Sequence, residues 1–264
     1  MANDIFTVSD LSFSYGGKTK KEIFNGLSLT VKEGKVTTFI GANGSGKSTL
    51  FNLMTKNLKP TAGSIFLRGG NVADLRLRDF SRLVAIVHQY NSSPSDLSVE
   101  SLVAYGRAPY QNFHTMLSRE EAAEDERMVA WAIETCNLGD VADRPVSALS
   151  GGQCQRVWIA MALAQGTRVL LLDEPTTYLD IRYQLDILRL VRRLNQEFDM
   201  TVVMVLHDMN QALCYSDEVV ALACGQVAAQ GNPADIVTPE LLKRVYGVDL
   251  EMTTVDGKPF VLAV

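Results

Sequence analysis

A glycine-rich segment, GANGSGKST at residues 41–49, carries a lysine and three hydroxyl side chains between an apolar run and a helical pattern. Glycines in such a turn let backbone N–H groups wrap a phosphate, and the following helix directs its positive end at the anion. Lys47 would meet the terminal phosphates of a nucleotide, and Ser48 would offer its hydroxyl to magnesium. The spacing and the flanking elements disfavour a glycine-rich turn with an incidental lysine. The predicted phosphate-binding residues are Gly41, Ala42, Asn43, Gly44, Ser45, Gly46, Lys47, Ser48 and Thr49.

Two adjacent carboxylates, Asp173 and Glu174, directly follow the apolar run RVLLL. Open α/β sheets place their ligand crevice at the carboxyl ends of the strands, so both residues are expected at that edge. Asp173 is predicted to reach magnesium, directly or through water, and Glu174 to act as a general base on the attacking water. The alternative is an exposed acidic turn before Pro175, and the nearby phosphate-binding pattern disfavours it.

Two further apolar runs end in residues that suit the same chemistry. LVAIV (83–87) is followed by His88 and Gln89, and TVVMVL (201–206) is followed by His207. The Gln89 amide can touch both magnesium and water, whereas His207 can hydrogen-bond a phosphate or orient Glu174. His88 is interpreted as structural. The predicted catalytic residues are Glu174, His207 and Gln89, and the predicted magnesium ligands are Ser48, Gln89 and Asp173.

The signature segment LSGGQ (149–153) precedes RVWIAMALAQG (156–166), a run so apolar on all sides that it predicts a buried helix. The N-terminus of that helix is a second candidate anion site. Two such helix N-termini cannot comfortably serve one phosphate within a single compact chain. A second copy of the chain is therefore expected to supply one of them, which predicts a dimer.

The elements that must position these residues are of two kinds. Near-continuous apolar runs, at 36–40, 83–87, 168–174, 201–206 and 219–222, fit strands of a parallel sheet that helices cover on both faces. Alternating segments at 6–15, 27–34 and 63–70 instead predict antiparallel strands with one solvated face. Apolar residues at helical spacing predict a helix over 185–198. The predicted fold class is α/β, a parallel sheet with an N-terminal antiparallel β layer.

Residues 91–148 contain no competing strand pattern and are predicted to form an inserted helical subdomain. Its main element is one long helix over 118–138, which opens with a capping box formed by Ser118 and Glu121. The charged face of this helix is interpreted as solvated surface.

Composition narrows the functional classes. Proteins that bind nucleic acid usually carry an excess of clustered basic residues. The formal net charge of -5 and the pI near 5.3 therefore disfavour nucleic-acid binding by this chain. The apolar runs fall far short of the roughly 20 residues that cross a bilayer, and the N-terminus lacks the pattern of a secretory signal. We therefore expect a cytoplasmic chain. The four cysteines lie far apart and are interpreted as reduced packing residues.

The sequence resembles the ATP-binding subunits of ABC transporters. The motifs that carry this resemblance follow the family's order: GANGSGKST, Gln89, LSGGQ, VLLLDEP, the Leu179–Asp180 pair and His207. The resemblance covers essentially the whole chain, and LSGGQ is highly specific to that family. It implies a P-loop NTPase core, in one ATPase domain spanning 1–264, that hydrolyses ATP with Mg²⁺. It also implies a head-to-tail homodimer, in which each ATP lies between the P-loop (41–49) of one subunit and the signature segment of the other.

The resemblance adds further residues to the expected ATP site. Tyr15 matches the aromatic residue that stacks on adenine, although it could instead be one more aromatic of the β layer. The other residues that it adds are Ser150, Gly151, Gly152, Gln153 and Asp180.

Finer features resemble one branch of the family, the importers of iron–siderophore complexes, haem and vitamin B12. They are LVAYGRAPYQ (102–111), DEPTTYLDIRYQLDIL (173–188) and TPELLKRVYGVDLEM (238–252). The branch implies import of an Fe(III)-siderophore, with haem, cobalamin or a molybdate-type oxyanion as alternatives. It also implies integral membrane permease subunits, an indirect link to a substrate-binding protein, and a peripheral position on the cytoplasmic face of the bacterial inner membrane.

The chain departs from this branch in two places. Cys154 stands where a basic residue is common, and Ala42 stands where proline or histidine is frequent. Neither change removes a catalytic group, but both weaken an assignment to one particular substrate.

Two rival functions stay open. A soluble ABC ATPase of DNA repair or translation would normally carry long coiled-coil insertions or two ATPase cassettes, and this chain shows one P-loop and a short helical insert. A regulatory protein that only binds ATP would be expected to lack Glu174 or His207, and both are present.

Overall fold

The computed structural model describes residues 3–16, 21–111, 118–255 and 258–262; residues 112–117 of the predicted helical subdomain lie outside these ranges. The strands are β1 (Asp4–Tyr15), β2 (Lys21–Lys32), β3 (Val36–Ile40), β4 (Ala62–Leu67), β5 (Gly70–Asn71), β6 (Val84–Val87), β7 (Val169–Asp173), β8 (Thr201–Val205), β9 (Glu218–Ala223), β10 (Gln226–Gly231), β11 (Glu251–Val255) and β12 (Lys258–Leu262). The helices are α1 (Lys47–Met54), α2 (Leu77–Ser81), α3 (Val99–Ala104), α4 (Arg119–Thr135), α5 (Gly151–Ala164), α6 (Ile181–Phe198), α7 (Met209–Tyr215), α8 (Pro233–Ile236) and α9 (Pro239–Tyr246).

The chain divides into two compact units, the first made of Met1–Leu75 and Leu194–Val264 and the second of Arg76–Arg193. The predicted helical subdomain at about 91–148 falls within the second unit. Its boundaries, and the treatment of 1–264 as a single domain, stay predictions.

The first unit contains the antiparallel β layer that the alternating segments predicted. Its strands lie in the order β2-β1-β4-β5, and β1 pairs antiparallel with both β2 and β4. Phe6, Val8 and Leu11 of β1 are buried, each 1% exposed or less. This burial accounts for the amphipathic pattern, since the layer has one apolar face.

Parallel strands of the first unit carry the phosphate-binding segment. β3 pairs in parallel with β8 on one side and β9 on the other, and every residue of β3 and β8 is buried. Strands buried on both faces read as continuous apolar runs, as the sequence predicted. Because β3 and β8 are parallel neighbours, Gly41 and His207 follow their strands at the same edge.

The second unit holds another parallel pair, β6 and β7, in the register Val84 with Val169 through Val87 with Leu172. Gln89 follows β6 closely and Glu174 follows β7 directly, so the two side chains start from the same edge. Helix α4 opens with the predicted capping box, since Ser118 and Glu121 each bond the backbone of the other.

Some sequence expectations need correction. Helix α6 begins at Ile181, four residues before the predicted start, and the sequence interpretation missed α8, α9 and the β11–β12 hairpin. Cys214 and Cys224 are exposed, so the interpretation of all four cysteines as packing residues is wrong for these two. Over the described ranges, no helix is long and apolar enough to cross a membrane.

Candidate nucleotide site

The P-loop turns between β3 and α1 in a conformation that depends on glycine. Gly46, the residue before α1, has φ 108°, and a Cβ there would lie 2.6 Å from the ring of Phe24. A Cβ on Gly41 would lie 2.4 Å from the carbonyl oxygen of Leu222. Any side chain at either position would displace the loop, which explains two of the glycines in GANGSGKST.

Lys47 is held inside this loop. Its side-chain ammonium donates to the carbonyl oxygens of Gly41 at 2.7 Å and Ala42 at 3.1 Å, and the residue is only 4% exposed. Ser48, the next residue of α1, is exposed. The loop therefore concentrates a buried positive charge beside an accessible hydroxyl, at the positive end of a helix.

Tyr15 lies next to the same helix. Its hydroxyl is 3.3 Å from Oγ1 of Thr49, and its ring packs edge to face on Phe13 with centroids 4.9 Å apart. Tyr15 is nevertheless 43% exposed. A ring held by these two contacts, with exposed surface, suits stacking on a flat heterocycle.

Gln89 and Glu174 form the central contact of the second unit. Nε2 of Gln89 donates to Oε2 of Glu174 at 2.6 Å, and Oγ1 of Thr177 donates to the same oxygen at 3.1 Å. Glu174 has a φ of 51°, which turns the chain sharply at the end of β7. Asp173, the last residue of β7, is 8% exposed. Thr177 was not among the predicted residues, and its only sequence signal is a hydroxyl three positions after a candidate base.

His207 lies in the short connection between β8 and α7 and is exposed. Asp208 caps α7, because its carboxylate accepts a hydrogen bond from the backbone N–H of Gln211 at 2.9 Å. His88 differs in environment: it is half-buried, and this burial lowers its pKa. The neutral imidazole is therefore the favoured form of His88.

The signature segment forms the start of α5. Ser150 is the N-cap; its hydroxyl accepts from the Gln153 N–H at 3.3 Å, and the Gln153 side chain accepts from the Ser150 N–H at 3.0 Å. Gln153 thus closes a capping box. Gly151 is exposed, whereas Gly152 is buried against Tyr183 of α6. Asp180 is exposed just before α6 and accepts a hydrogen bond from the Tyr183 N–H at 3.2 Å.

The predicted residues thus form two sets, each within one unit. In the first unit, Tyr15 contacts the helix that the P-loop opens, and His207 lies at the same sheet edge as Gly41. In the second unit, Gln89 and Glu174 are in direct contact, while Ser150 and Asp180 lie at the starts of α5 and α6.

The proposed magnesium ligands can be tested against the chemistry of their donor atoms. A serine hydroxyl, an amide oxygen and a carboxylate are the hard oxygen ligands that Mg²⁺ prefers. Because Nε2 of Gln89 donates to Glu174, Oε1 is the Gln89 atom that suits a cation. In the part of the chain that the structure describes, no group of three or more His, Cys, Asp and Glu residues could hold a metal. Each of the three residues thus offers an oxygen donor of the kind that Mg²⁺ accepts.

Comparisons with known proteins agree with these features. The family model described as ABC transporter matches residues 24–177. The iron(3+)-hydroxamate import ATP-binding protein FhuC of Bacillus subtilis (strain 168) is 43% identical, over 94% of this chain and 90% of that protein.

Two solved structures have the same fold. A chain from an inward-facing ABC transporter described as metal-chelate type superposes with a TM-score of 0.81 at 28% identity, covering 98% of this chain and 96% of that one. A dimeric, post-hydrolysis structure of the ATP-binding cassette MJ0796 with ADP and Pi has a TM-score of 0.72 at 27% identity, covering 86% and 98%. The predicted fold class is confirmed, and the chain belongs to the ABC transporter family, as one of its ATP-hydrolysing, ATP-binding subunits.

Proposed function

We propose that this chain uses ATP to drive import of an Fe(III)-siderophore complex through a membrane permease. The observation that carries the catalytic part is the Glu174 carboxylate, which Gln89 and Thr177 hold at the end of β7. The substrate class is supported by the similarity to an iron(3+)-hydroxamate import protein and to a transporter described as metal-chelate type. Haem, cobalamin and molybdate-type oxyanions are the alternative cargoes.

The residues of the first unit bind the nucleotide in this proposal. Backbone N–H groups of the P-loop wrap the phosphates, and the Lys47 ammonium exchanges its carbonyl partners for phosphate oxygens. Tyr15 stacks on adenine. His207 hydrogen-bonds the γ-phosphate, so its imidazole stabilises charge at the reacting group.

Glu174 is the general base. Its hydrogen bonds to Gln89 and Thr177 fix the orientation of the carboxylate, and orientation is what a base needs in order to remove a proton from water as it attacks phosphorus. Gln89 connects this base to the chain after β6. In the importer branch that the sequence resembles, the segment around Gln89 and the helical subdomain receive a short helix from the membrane subunit, and we propose the same contact here. A change in that segment would therefore alter the base directly.

Ser48, Gln89 and Asp173 would hold Mg²⁺ through their oxygen atoms. When bound, Mg²⁺ neutralises charge on the phosphate oxygens. Ser48 lies in the first turn of α1, and Asp173 is the last residue of β7.

The signature segment acts on the nucleotide of a second copy in this proposal. Ser150 accepts the Gln153 N–H through its oxygen, so its own hydroxyl proton can still be donated to a phosphate. Exposed Gly151 and the positive end of α5 add to the attraction. ATP then favours the closed, head-to-tail dimer because it gains contacts there that the open form lacks. The predicted contact of Asp180 with the nucleotide belongs to the same arrangement.

The proposed partners are a second copy of this chain and integral membrane permease subunits, with a substrate-binding protein as an indirect partner. The chain would lie peripherally on the cytoplasmic face of the bacterial inner membrane. No role in binding nucleic acid is proposed, since the net charge is -5.

The decisive experiment measures uptake in a strain of the source organism from which this gene has been deleted. Radioactive Fe(III) is supplied as a hydroxamate or a catecholate complex, with haem, cobalamin and molybdate in parallel. The proposal expects loss of Fe(III)-siderophore uptake, restored by the native chain and not by Lys47→Ala or Glu174→Gln. If the deletion abolished uptake of only one of the other compounds, that compound would be the substrate instead of an Fe(III)-siderophore.

A second measurement addresses the partner. Glu174→Gln protein with ATP is purified gently from native membranes, and mass spectrometry identifies what is bound. A polytopic permease is expected. Ribosomes or DNA-repair factors without any membrane protein would overturn the transport role and leave the ATPase assignment in place.

A further inference from the structure

The side chain of Asn210 binds the backbone of Val261 through both of its polar groups. Nδ2 of Asn210 donates to the Val261 carbonyl oxygen at 3.0 Å, and the Val261 N–H donates to Oδ1 of Asn210 at 2.8 Å. The two residues are 51 positions apart. Asn210 lies in the first turn of α7, and Val261 lies in β12 of the C-terminal hairpin. The amide thus pairs with β12 as a neighbouring strand would.

Asn210, which makes this contact, is three residues after His207 in the sequence. The connection from β8 to α7 contains only Leu206, His207 and Asp208, and Asp208 is already the cap of α7. The backbone of His207 is therefore bounded by β8 on one side and by the first turn of α7 on the other. Whatever fixes that first turn also limits where the imidazole can be.

Apolar packing holds the same face of α7. Met209 and Leu213 pack against a buried cluster of Val237, Leu242 and Val261, all of which belong to residues 232–262, here termed the C-terminal segment. Val261 is 5% exposed and so contributes to both the packing and the hydrogen bonds. A hydrogen bond restricts both distance and angle, whereas apolar contacts are non-directional. The Asn210 bonds therefore set the position that the packing alone leaves adjustable.

We propose that Asn210 is a positioning residue for His207, acting by clamping α7 to β12 of the C-terminal segment. This inference rests on the proposed role of His207 at the γ-phosphate. Its consequence is that β12 contributes, through α7, to the placement of His207. Loss of the clamp should impair turnover and leave ATP binding close to normal.

The test is a double-mutant cycle with full-length protein, in which steady-state ATPase gives kcat and KM and equilibrium titration gives ATP affinity. Asn210→Ala should lower kcat by roughly 10- to 100-fold, the size expected of a displaced catalytic group, with little change in ATP affinity. If Asn210 acts through His207, the same substitution in a His207→Ala background should cause no further loss of kcat. A purely structural role would instead reduce activity by the same factor in both backgrounds.

Two comparisons separate the possible failures. Asn232→Ala is the matched control, since Asn232 is also in the C-terminal segment and its side chain caps α8 by accepting from the Ala234 N–H at 2.9 Å. Its kcat should equal that of the native chain. Native kcat in His207→Ala would overturn the proposed role of His207. A large loss in His207→Ala combined with native kcat in Asn210→Ala would overturn only the clamp. If Asn210→Ala unfolds, Asn210→Asp replaces it, because it removes the donated bond and retains the accepted one.

Discussion

Gln89 and Glu174 are 85 residues apart in sequence and meet in a 2.6 Å hydrogen bond between the amide Nε2 and the carboxylate Oε2. Parallel pairing of β6 with β7 produces this contact, because it aligns the carboxyl ends of the two strands. The bond ties a candidate base to the segment that follows β6. The base and the segment expected to contact the permease therefore cannot move independently without breaking it.

Replacing Glu174 with glutamine keeps the shape of the side chain and removes the carboxylate that we propose as the base. We expect Glu174→Gln to bind ATP, to accumulate as a dimer, and to hydrolyse ATP at least about 100-fold more slowly. Glu197→Gln, at an exposed position of α6, is the control and should behave like the native chain. Phosphate release and size-exclusion chromatography with ATP provide the measurements. Near-normal hydrolysis by Glu174→Gln would contradict the assignment.

Loss of the P-loop lysine should act on binding instead. Lys47→Ala would remove the proposed charge-assisted hydrogen bond to phosphate, and we expect ATP affinity to fall by roughly 10- to 100-fold. Lys59→Ala, which removes an exposed lysine beyond α1, should leave the affinity unchanged. Calorimetric titration with a non-hydrolysable ATP analogue measures both. Equal affinity in the native chain and Lys47→Ala would argue against phosphate binding by this loop.

The two glycines of the signature segment should respond differently to alanine. A Cβ on Gly152 would lie 2.3 Å from the ring of Tyr183, whereas one on Gly151 would make an ordinary 3.5 Å contact with Leu179. Gly152→Ala should therefore lower the free energy of unfolding by about 1–3 kcal/mol, the usual cost of overpacking. Gly151→Ala should fold normally, so any loss of its ATPase activity reports on the dimer contact. Thermal unfolding distinguishes the two variants, and equal stability would refute the packing argument.

Arg107 is the centre of a buried ion pair in the second unit. It donates to Asp125 at 2.7 Å and to the carbonyl oxygen of Ala164 at 2.9 Å, and the side chains of the pair are 7% and 14% exposed. Arg107→Ala removes the cationic partner of the largely buried Asp125 carboxylate and leaves it only the longer hydrogen bond from Nε2 of Gln111 at 3.3 Å, so we expect a loss of about 3–5 kcal/mol in unfolding free energy. Arg127→Ala breaks the exposed pair with Glu124 and should change stability little. Denaturant titration gives both values, and similar costs for the two variants would contradict this contrast.

The four thiols should react in a fixed order. Burial raises the pKa of Cys136 to about 12 and also raises that of Cys154, whereas Cys214 and Cys224 are exposed. Because the thiolate is the nucleophile, a disulfide reagent at pH 8 should modify Cys214 and Cys224 first and Cys136 only after unfolding. The folded state binds the Cys136 proton more tightly than the unfolded state, so this contribution to stability is complete below pH 9 and is lost as the pH rises toward 12. Mass spectrometry of the modified peptides records the order, and early labelling of Cys136 would disprove its burial.

Local signals account for the parts of the fold and site that the sequence predicted. The P-loop glycines, the capping box at Ser118 and the apolar runs of the buried strands each depend on neighbours a few residues away. Such features can be recognised without knowing the rest of the chain, because backbone conformation and burial on both faces restrict residue types locally. The residue types at positions 41–49, 149–153 and 173–174 were enough to predict nucleotide chemistry and the family.

Contacts between distant segments could not be derived in this way. The bond from Gln89 to Glu174 depends on the pairing of β6 with β7. A side chain cannot fit at Gly152 because the ring of Tyr183 lies against it. The hydrogen bonds of Asn210 depend on the C-terminal hairpin that contains Val261. The residues next to Asn210 or Gly152 in the sequence do not identify the partner of either residue, since packing over the whole chain decides which side chain lies there. The residue types thus determine which chemistry is available, and the tertiary structure decides which side chains are held in place to perform it.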